Sequence, residues 1–145
     1  MRSVWVLVLA LFVVGGCAAS VSAKSHGNNA VVASDNVVCE GAIAWTQASG
    51  YDGHIVTVRG PIVAARYAGA GQPTYLDVGK AAPAPDRVMI VISAAARKTG
   101  FTWAPERVLN GQSVCARGVV RVHQDATELD LTDEGNVFLL SNPAK

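Results

Sequence analysis

The sequence has little net charge, few cysteines and no apolar run long enough to cross a bilayer. Lys and Arg together number 12 against 11 Asp and Glu, a formal net charge of +1. So even a balance argues against a protein that holds nucleic acid through bulk charge alone. There are 3 cysteines and no Cys-x-x-Cys, which disfavours dithiol redox chemistry, and no His/Cys spacing of a zinc site is present. Also missing are a glycine-rich phosphate loop, a Gly-x-Ser-x-Gly elbow and any internal repeat. The expectation is a binding module that is not an enzyme and carries no cofactor. The chain's 145 residues suffice for one domain.

The apolar run that does exist, Val4 to Val14, is eleven residues long. A bilayer span needs about 20, so a signal-peptide core behind Arg2 is the better reading. Val14-Gly15-Gly16-Cys17 follows and resembles a bacterial lipobox. That resemblance implies cleavage before Cys17, a diacylglycerol on its sulfur, and residence at the cell envelope, facing out of the cytoplasm. The alternative is ordinary secretion with cleavage after Val21-Ser22-Ala23. On the first reading residues 1–16 are a lipoprotein signal peptide and residues 17–37 a flexible tether, small and polar and without period, in which His26 is a solvated residue. Residues 38–141 form the domain.

The domain reads as β-rich. His54 to Lys80 holds a run of β-branched residues (Ile55, Val56, Val58, Ile62, Val63), a Gly/Ala-rich loop and the short strand Thr74–Val78. Gly60-Pro61 interrupts the first strand, and proline supplies no N–H to a sheet. The pair fits a bend, as a small closed barrel requires where a strand changes direction. Arg87–Ser93 reads as a third strand buried on both faces or nearly so. Ala94–Gly111 contains helical turns, one of them opened by Pro105-Glu106. Ser113–His123 alternates, with Val114, Ala116, Gly118, Val120 and Val122 on one face and Cys115, Arg117, Val119, Arg121 and His123 on the other. Glu128–Leu131 is its partner strand, Val137–Leu140 a last apolar segment, and Gly41–Tyr51 a short N-terminal helix with Trp45 capping the barrel. Strand, strand, strand, helix, strand, strand is the order of an OB-fold, a five-stranded Greek-key barrel. Another small barrel or a sandwich is the alternative.

Several segments resemble a family of small exported bacterial OB-fold domains of nucleic-acid-binding type. They are Val56–Val63, the block Gly71-Gln72-Pro73-Thr74-Tyr75-Leu76-Asp77-Val78-Gly79, Val88–Ile92, Pro105-Glu106 and Asn110–Gly118. Asp77 and Ser93 depart from its pattern, which elsewhere has a neutral polar residue and an aromatic. With Cys17 lipidated, Cys39 and Cys115 remain as an even pair in an oxidising compartment, which favours a disulfide over two separate thiols. The resemblance supports the same pairing.

An OB-fold binds ligands on the outer face of its second and third strands and on the adjoining loops. This selects Arg66, Tyr75 and Arg87 as candidate nucleic-acid-binding residues, with Tyr67, Phe101 and Trp103 nearby. Arginines meet phosphates and aromatic rings carry stacked bases. Two functions follow from different premises. In one, the domain binds single-stranded nucleic acid or another anionic polymer, and the three residues converge on an exposed face. In the other, it is a non-catalytic envelope adaptor for a protein partner, and those residues are paired or buried. An accessory role to a secreted nuclease follows only from the family resemblance. A thermonuclease-like use of Asp77 with Arg87, or a cation held by Asp130, Asp133 and Glu134, lacks the surrounding motifs. Arg117, Arg121 and His123 face Glu128 and Asp130 as a neutralised ladder.

Overall fold

The structure, a computed structural model, describes residues 39–124 and 126–140. The segments read above as signal peptide and tether, with Cys17, lie outside the described residues. The elements are β1 (Ile43–Ala44), a 3-10 helix (Trp45–Tyr51), β2 (Ile55–Tyr67), β3 (Thr74–Val78), β4 (Val88–Ile92), α1 (Ala94–Gly100), α2 (Pro105–Val108), β5 (Ser113–His123), β6 (Ala126–Asp130), a second 3-10 turn (Glu134–Asn136) and β7 (Val137–Leu139).

Five strands close a ring. β2 runs antiparallel to β3, β3 to β4, β4 parallel to β6, β6 antiparallel to β5, and β5 antiparallel to the first half of β2. With helices between β4 and β5, this is the OB-fold. β1 and β7 are short additions, paired to β2 and β5.

The bend in β2 sits where Gly60-Pro61 predicts it. Residues up to Pro61 pair with β5, residues from Ile62 pair with β3, and the β3 register slips between Ile62 and Ala64. Backbone groups freed at the switch find partners outside the ladder. The Pro61 carbonyl accepts from the Gly79 N–H at 2.8 Å, and the Ile62 N–H donates to the Gln112 carbonyl at 2.7 Å. The Trp45 indole fills the inside of the corner. A Cβ on Gly60 would stand 2.6 Å from Trp45 Cδ1, and one on Gly79 2.2 Å from its Cε2. Gly79 also has φ +79°, a conformation that other residues enter at a cost. Two glycines therefore make the floor on which the tryptophan lies.

The strands alternate as a half-buried barrel requires. Val58, Ile62, Leu76, Val78, Ile90, Val114, Ala116, Val120 and Leu129 point inward and are buried. β4 departs from its expected double burial. Val88, Ile90 and Ile92 are buried, but Met89 and Val91 are only partly so, because they lie on the outer face and no second layer among the described residues covers it. Phe101 and Leu109 plug one end, with Phe101 packed edge-on to Trp103 at 5.3 Å. The N-terminal helix also departs from its expected form. Ile43–Ala44 extends to pair with Val58–Arg59, so helix begins only at Trp45 and is of the 3-10 type, its first N–H at Ala44 bonded by Gln47. Cys39 and Cys115 are joined, with Cα atoms 5.8 Å apart across a sequence separation of 76. All the barrel pairings lie between Ile55 and Asp130, so the ring is complete within the described residues.

Gly79→Ala should lower the unfolding free energy by about 2–4 kcal/mol, from the left-handed backbone and the collision with Trp45 together. Urea denaturation followed by tryptophan fluorescence measures it. An unchanged midpoint would show that the indole does not rest on this residue.

Candidate functional site

The candidate residues are assembled on the outer face of β2, β3 and β4. Arg66 and Tyr75 are register partners, and the Arg66 guanidinium stands over the Tyr75 ring, 5.4 Å from its centroid. Thr74, Leu76 and Val78 turn inward, so alternation turns Tyr75 and Asp77 outward. Asp77 is nonetheless buried, its side chain only 2% exposed, because two arginines and a loop close over it. Arg87 Nε donates to Asp77 Oδ1 at 3.2 Å, and the Ala82 N–H donates to Oδ2 at 3.1 Å. Arg87 also donates to the Ala84 carbonyl at 2.7 Å and is 18% exposed. Arg66 approaches the same carboxylate only to 3.8 Å and stays 54% exposed.

The three residues therefore share a face but not a state. Arg87 is committed to Asp77 and to the loop that Asp77 organises. Arg66 is the cation with freedom to turn, because a 3.8 Å contact to an exposed guanidinium restrains it weakly. Asp77 was visible as a departure from the family pattern, and the structure gives it a use. It holds the Ala82–Arg87 loop against β3, and the same bond removes Arg87 from the pool of free cations.

A second cluster, which sequence reasoning missed, lies where β2 ends. Arg97 on α1 lies 3.9 Å from the Tyr67 ring centroid, donates to Thr74 Oγ1 at 2.8 Å, and forks onto Glu106 at 2.6 and 3.1 Å. Burial of Glu106 opposes its charge, but the Arg97 hydrogen bonds prevail and hold its carboxyl below the ordinary range. The hydrogen bonds that Arg97 donates to Glu106, against a smaller cost of burial, raise the Arg97 pKa in turn. Thr74, which is fully buried, thereby has its hydroxyl satisfied. The one local signal was Ser93, whose hydroxyl caps α1 by accepting the Ala96 N–H at 3.1 Å and so sets where Arg97 points. Between α1 and the β2–β3 loop lies a cleft of about 580 Å³ lined by Tyr67, Gly71, Gln72, Ala95, Arg97 and Lys98.

The remaining candidates are occupied by structure, with one correction: among the described residues Arg117 and His123 have no carboxylate within 4.0 Å, because their register partners are Thr57 and Ala126, so the expected charge ladder holds at Arg121 alone. Arg121 Nε donates to Asp130 at 2.7 Å, and Glu128 is its direct register partner, as a charge ladder predicts. Asp133 accepts from Gly135 N and Asn136 Nδ2, and Glu134 accepts from Thr102 N and Oγ1. Phe101 and Trp103 pack against the core.

No family model and no curated protein matches this chain. Solved structures are similar in part. An aspartyl-tRNA synthetase from Leishmania major Friedlin aligns at 12% identity and TM-score 0.46, covering 71% of this chain and 21% of that one. An asparaginyl-tRNA synthetase from Pyrococcus horikoshii aligns at 13% and 0.45, over 67% and 22%. The S. pombe Stn1-Ten1 complex aligns at 16% and 0.44, over 61% and 60%. The chain thus spans about a fifth of each synthetase and three fifths of the third chain. Such likenesses carry no functional argument, and the fold assignment rests on the strand pairings above.

Asp77→Asn should cost about 1.5–3 kcal/mol, because a buried, charge-assisted hydrogen-bond network loses its charge. Arg66→Ala should stay within about 1 kcal/mol, as an exposed partner does. Urea midpoints of the two variants decide it. Equal losses would contradict the division of labour between the two arginines.

Proposed function

We propose that this chain is an exported, lipid-anchored OB-fold module that binds single-stranded nucleic acid or another anionic polymer on the outer face of β3, β4 and the adjoining end of β2, and that it catalyses no reaction. The observation that carries the binding reading is the Arg66–Tyr75 pair, an exposed cation against an aromatic platform where this fold takes ligands. Arg66 turns outward to a phosphate, and the ring it leaves receives a base. Val91, register partner of Tyr75 on β4, extends the apolar surface beside the ring. The anchor reading is supported by the Val14–Cys17 motif, and export by the Cys39–Cys115 bridge, which suits an oxidising compartment.

An adaptor role toward a protein partner draws on one fact, the commitment of Arg87 to Asp77, which leaves the face with little positive charge. Salt dependence separates the two. A labelled single-stranded DNA is titrated with Ser25–Lys145, oxidised at Cys39 and Cys115, at low and moderate salt. Polymer binding should weaken with salt by about 0.7 log units in K per phosphate contact for each decade of salt. Tyr75→Ala should cost about 1–3 kcal/mol, and Arg66→Ala should reduce the salt slope. Absence of binding at low salt would refute the polymer reading and leave the adaptor.

A further inference from the structure

The wall of the barrel formed by β5 and the first half of β2 carries a different surface. β5 neighbours neither β3 nor β4 in the ring, so its outward side chains leave the barrel on another side from Arg66 and Tyr75. Arg59 is the register partner of Cys115, and Arg117 that of Thr57, so both arginines project from this wall. Both are exposed. Among the described residues neither has a carboxylate within 4.0 Å, whereas Arg121 beside them is paired with Asp130 and faces Glu128. Beside Arg117 is an open cleft of about 300 Å³ whose apolar side is Ile55 and Val119, themselves register partners, and which is also lined by the Arg121–Asp130 pair, in which the acid is already neutralised. Ile55 is 59% exposed, the most exposed of the large apolar residues described.

Along this wall the outward row runs from Ile55 past Arg117 to Arg59, and two unpaired arginines in line with a protruding isoleucine suit neither a folded core nor a plain solvated face. The combination suits a surface that is anionic at its boundary and apolar just beneath it. The place where the chain enters the barrel points the same way. Cys39 is bonded to Cys115, on this same wall, so the N-terminal segment that carries Cys17 joins the domain beside Arg59.

We propose that this wall rests on an anionic lipid bilayer, with Arg59 and Arg117 at headgroup phosphates and Ile55, at the Arg117 end of the row, entering the apolar layer beneath. The inference rests on the lipid-anchor reading for its biological setting, since the anchor brings the wall within reach of the bilayer. Its consequence is orientation: the Arg66–Tyr75 face is turned away from the membrane and left open to ligand.

The test uses Ser25–Lys145, which lacks Cys17, so that any binding comes from the wall and not from an anchor. It is sedimented with phosphatidylcholine vesicles, with or without phosphatidylglycerol, at low salt. Binding is expected only with phosphatidylglycerol. Replacing Arg59 and Arg117 together by Ala should weaken it on the order of 25-fold, about fivefold for each basic residue. Lysine at both positions should restore it, which a merely misfolded variant would not explain. Ile55→Ser should weaken it further. No binding to the anionic vesicles overturns the proposal. So does binding that survives loss of Arg59 and Arg117 but not of Arg66, or full competition by inorganic phosphate, which would make the site one for a soluble anion. Loss of DNA binding in the Arg59/Arg117 variant would assign the wall to nucleic acid and overturn it too. The anchor itself is read separately, from the mass of the Cys17 peptide in membranes, so its failure and that of the wall are distinguishable.

Discussion

The Trp45 indole, lying on Gly60 and Gly79, is the contact on which the barrel's geometry depends. Every strand of the closed ring has two neighbours, but β2 meets its two with different halves, changing partner at Gly60–Ile62. Such a corner leaves a hollow on its inner side, and the indole fills it because both backbones beneath it lack a Cβ. Proline at the corner brings no backbone donor that would need a partner, and its carbonyl is bonded to Gly79, the other half of the floor. Steric fit and hydrogen bonding therefore specify the same bend. The disulfide adds a constraint nearby, fixing the entry of the chain against β5 beside the first half of β2.

Electrostatics then gives the outer surfaces different characters. Wherever an acid lies near a cation on this barrel, it is used to build structure. Asp77 draws in Arg87 and a loop, Glu106 locks Arg97 between the two helices, and Asp130 holds Arg121 across a hairpin. The near-neutral composition therefore conceals local imbalance. Once these pairs are set aside, Arg66 remains weakly held on one side, Arg59 and Arg117 have no carboxylate partner on the other, and Lys98 and Arg107 on the helices have none either, among the described residues. The leftover cations on the strands, not the total charge, motivate both binding proposals.

Features of short range were legible in the sequence. Alternation in Ser113–His123, the Gly-Pro bend, the breakers after Gly79 and the proline that opens α2 each depend on a few neighbouring residues, and each appears where expected. Strand order followed from them. What was not legible depends on contacts between distant segments. Residues 43–44 are extended because β2 offers them an edge, which nothing in their own composition announces. Arg97 and Glu106 meet because two helices fold back on each other, and Tyr67 joins them from a strand some thirty residues away. Arg87 was legible as a cation near the ligand face. Its commitment to Asp77 was not, because the bond depends on how the loop between β3 and β4 closes over that carboxylate.

If the barrel has two working faces with separate ligands, as proposed, amide chemical-shift mapping will separate them. Isotope-labelled Ser25–Lys145 would be titrated first with a single-stranded oligonucleotide and then with nanodiscs containing phosphatidylglycerol. The oligonucleotide is expected to perturb Arg66, Tyr75 and Val91 and to leave Ile55, Arg59 and Arg117 unmoved, and the nanodiscs to do the reverse. Perturbation of a single common surface by both ligands would contradict the division into two faces.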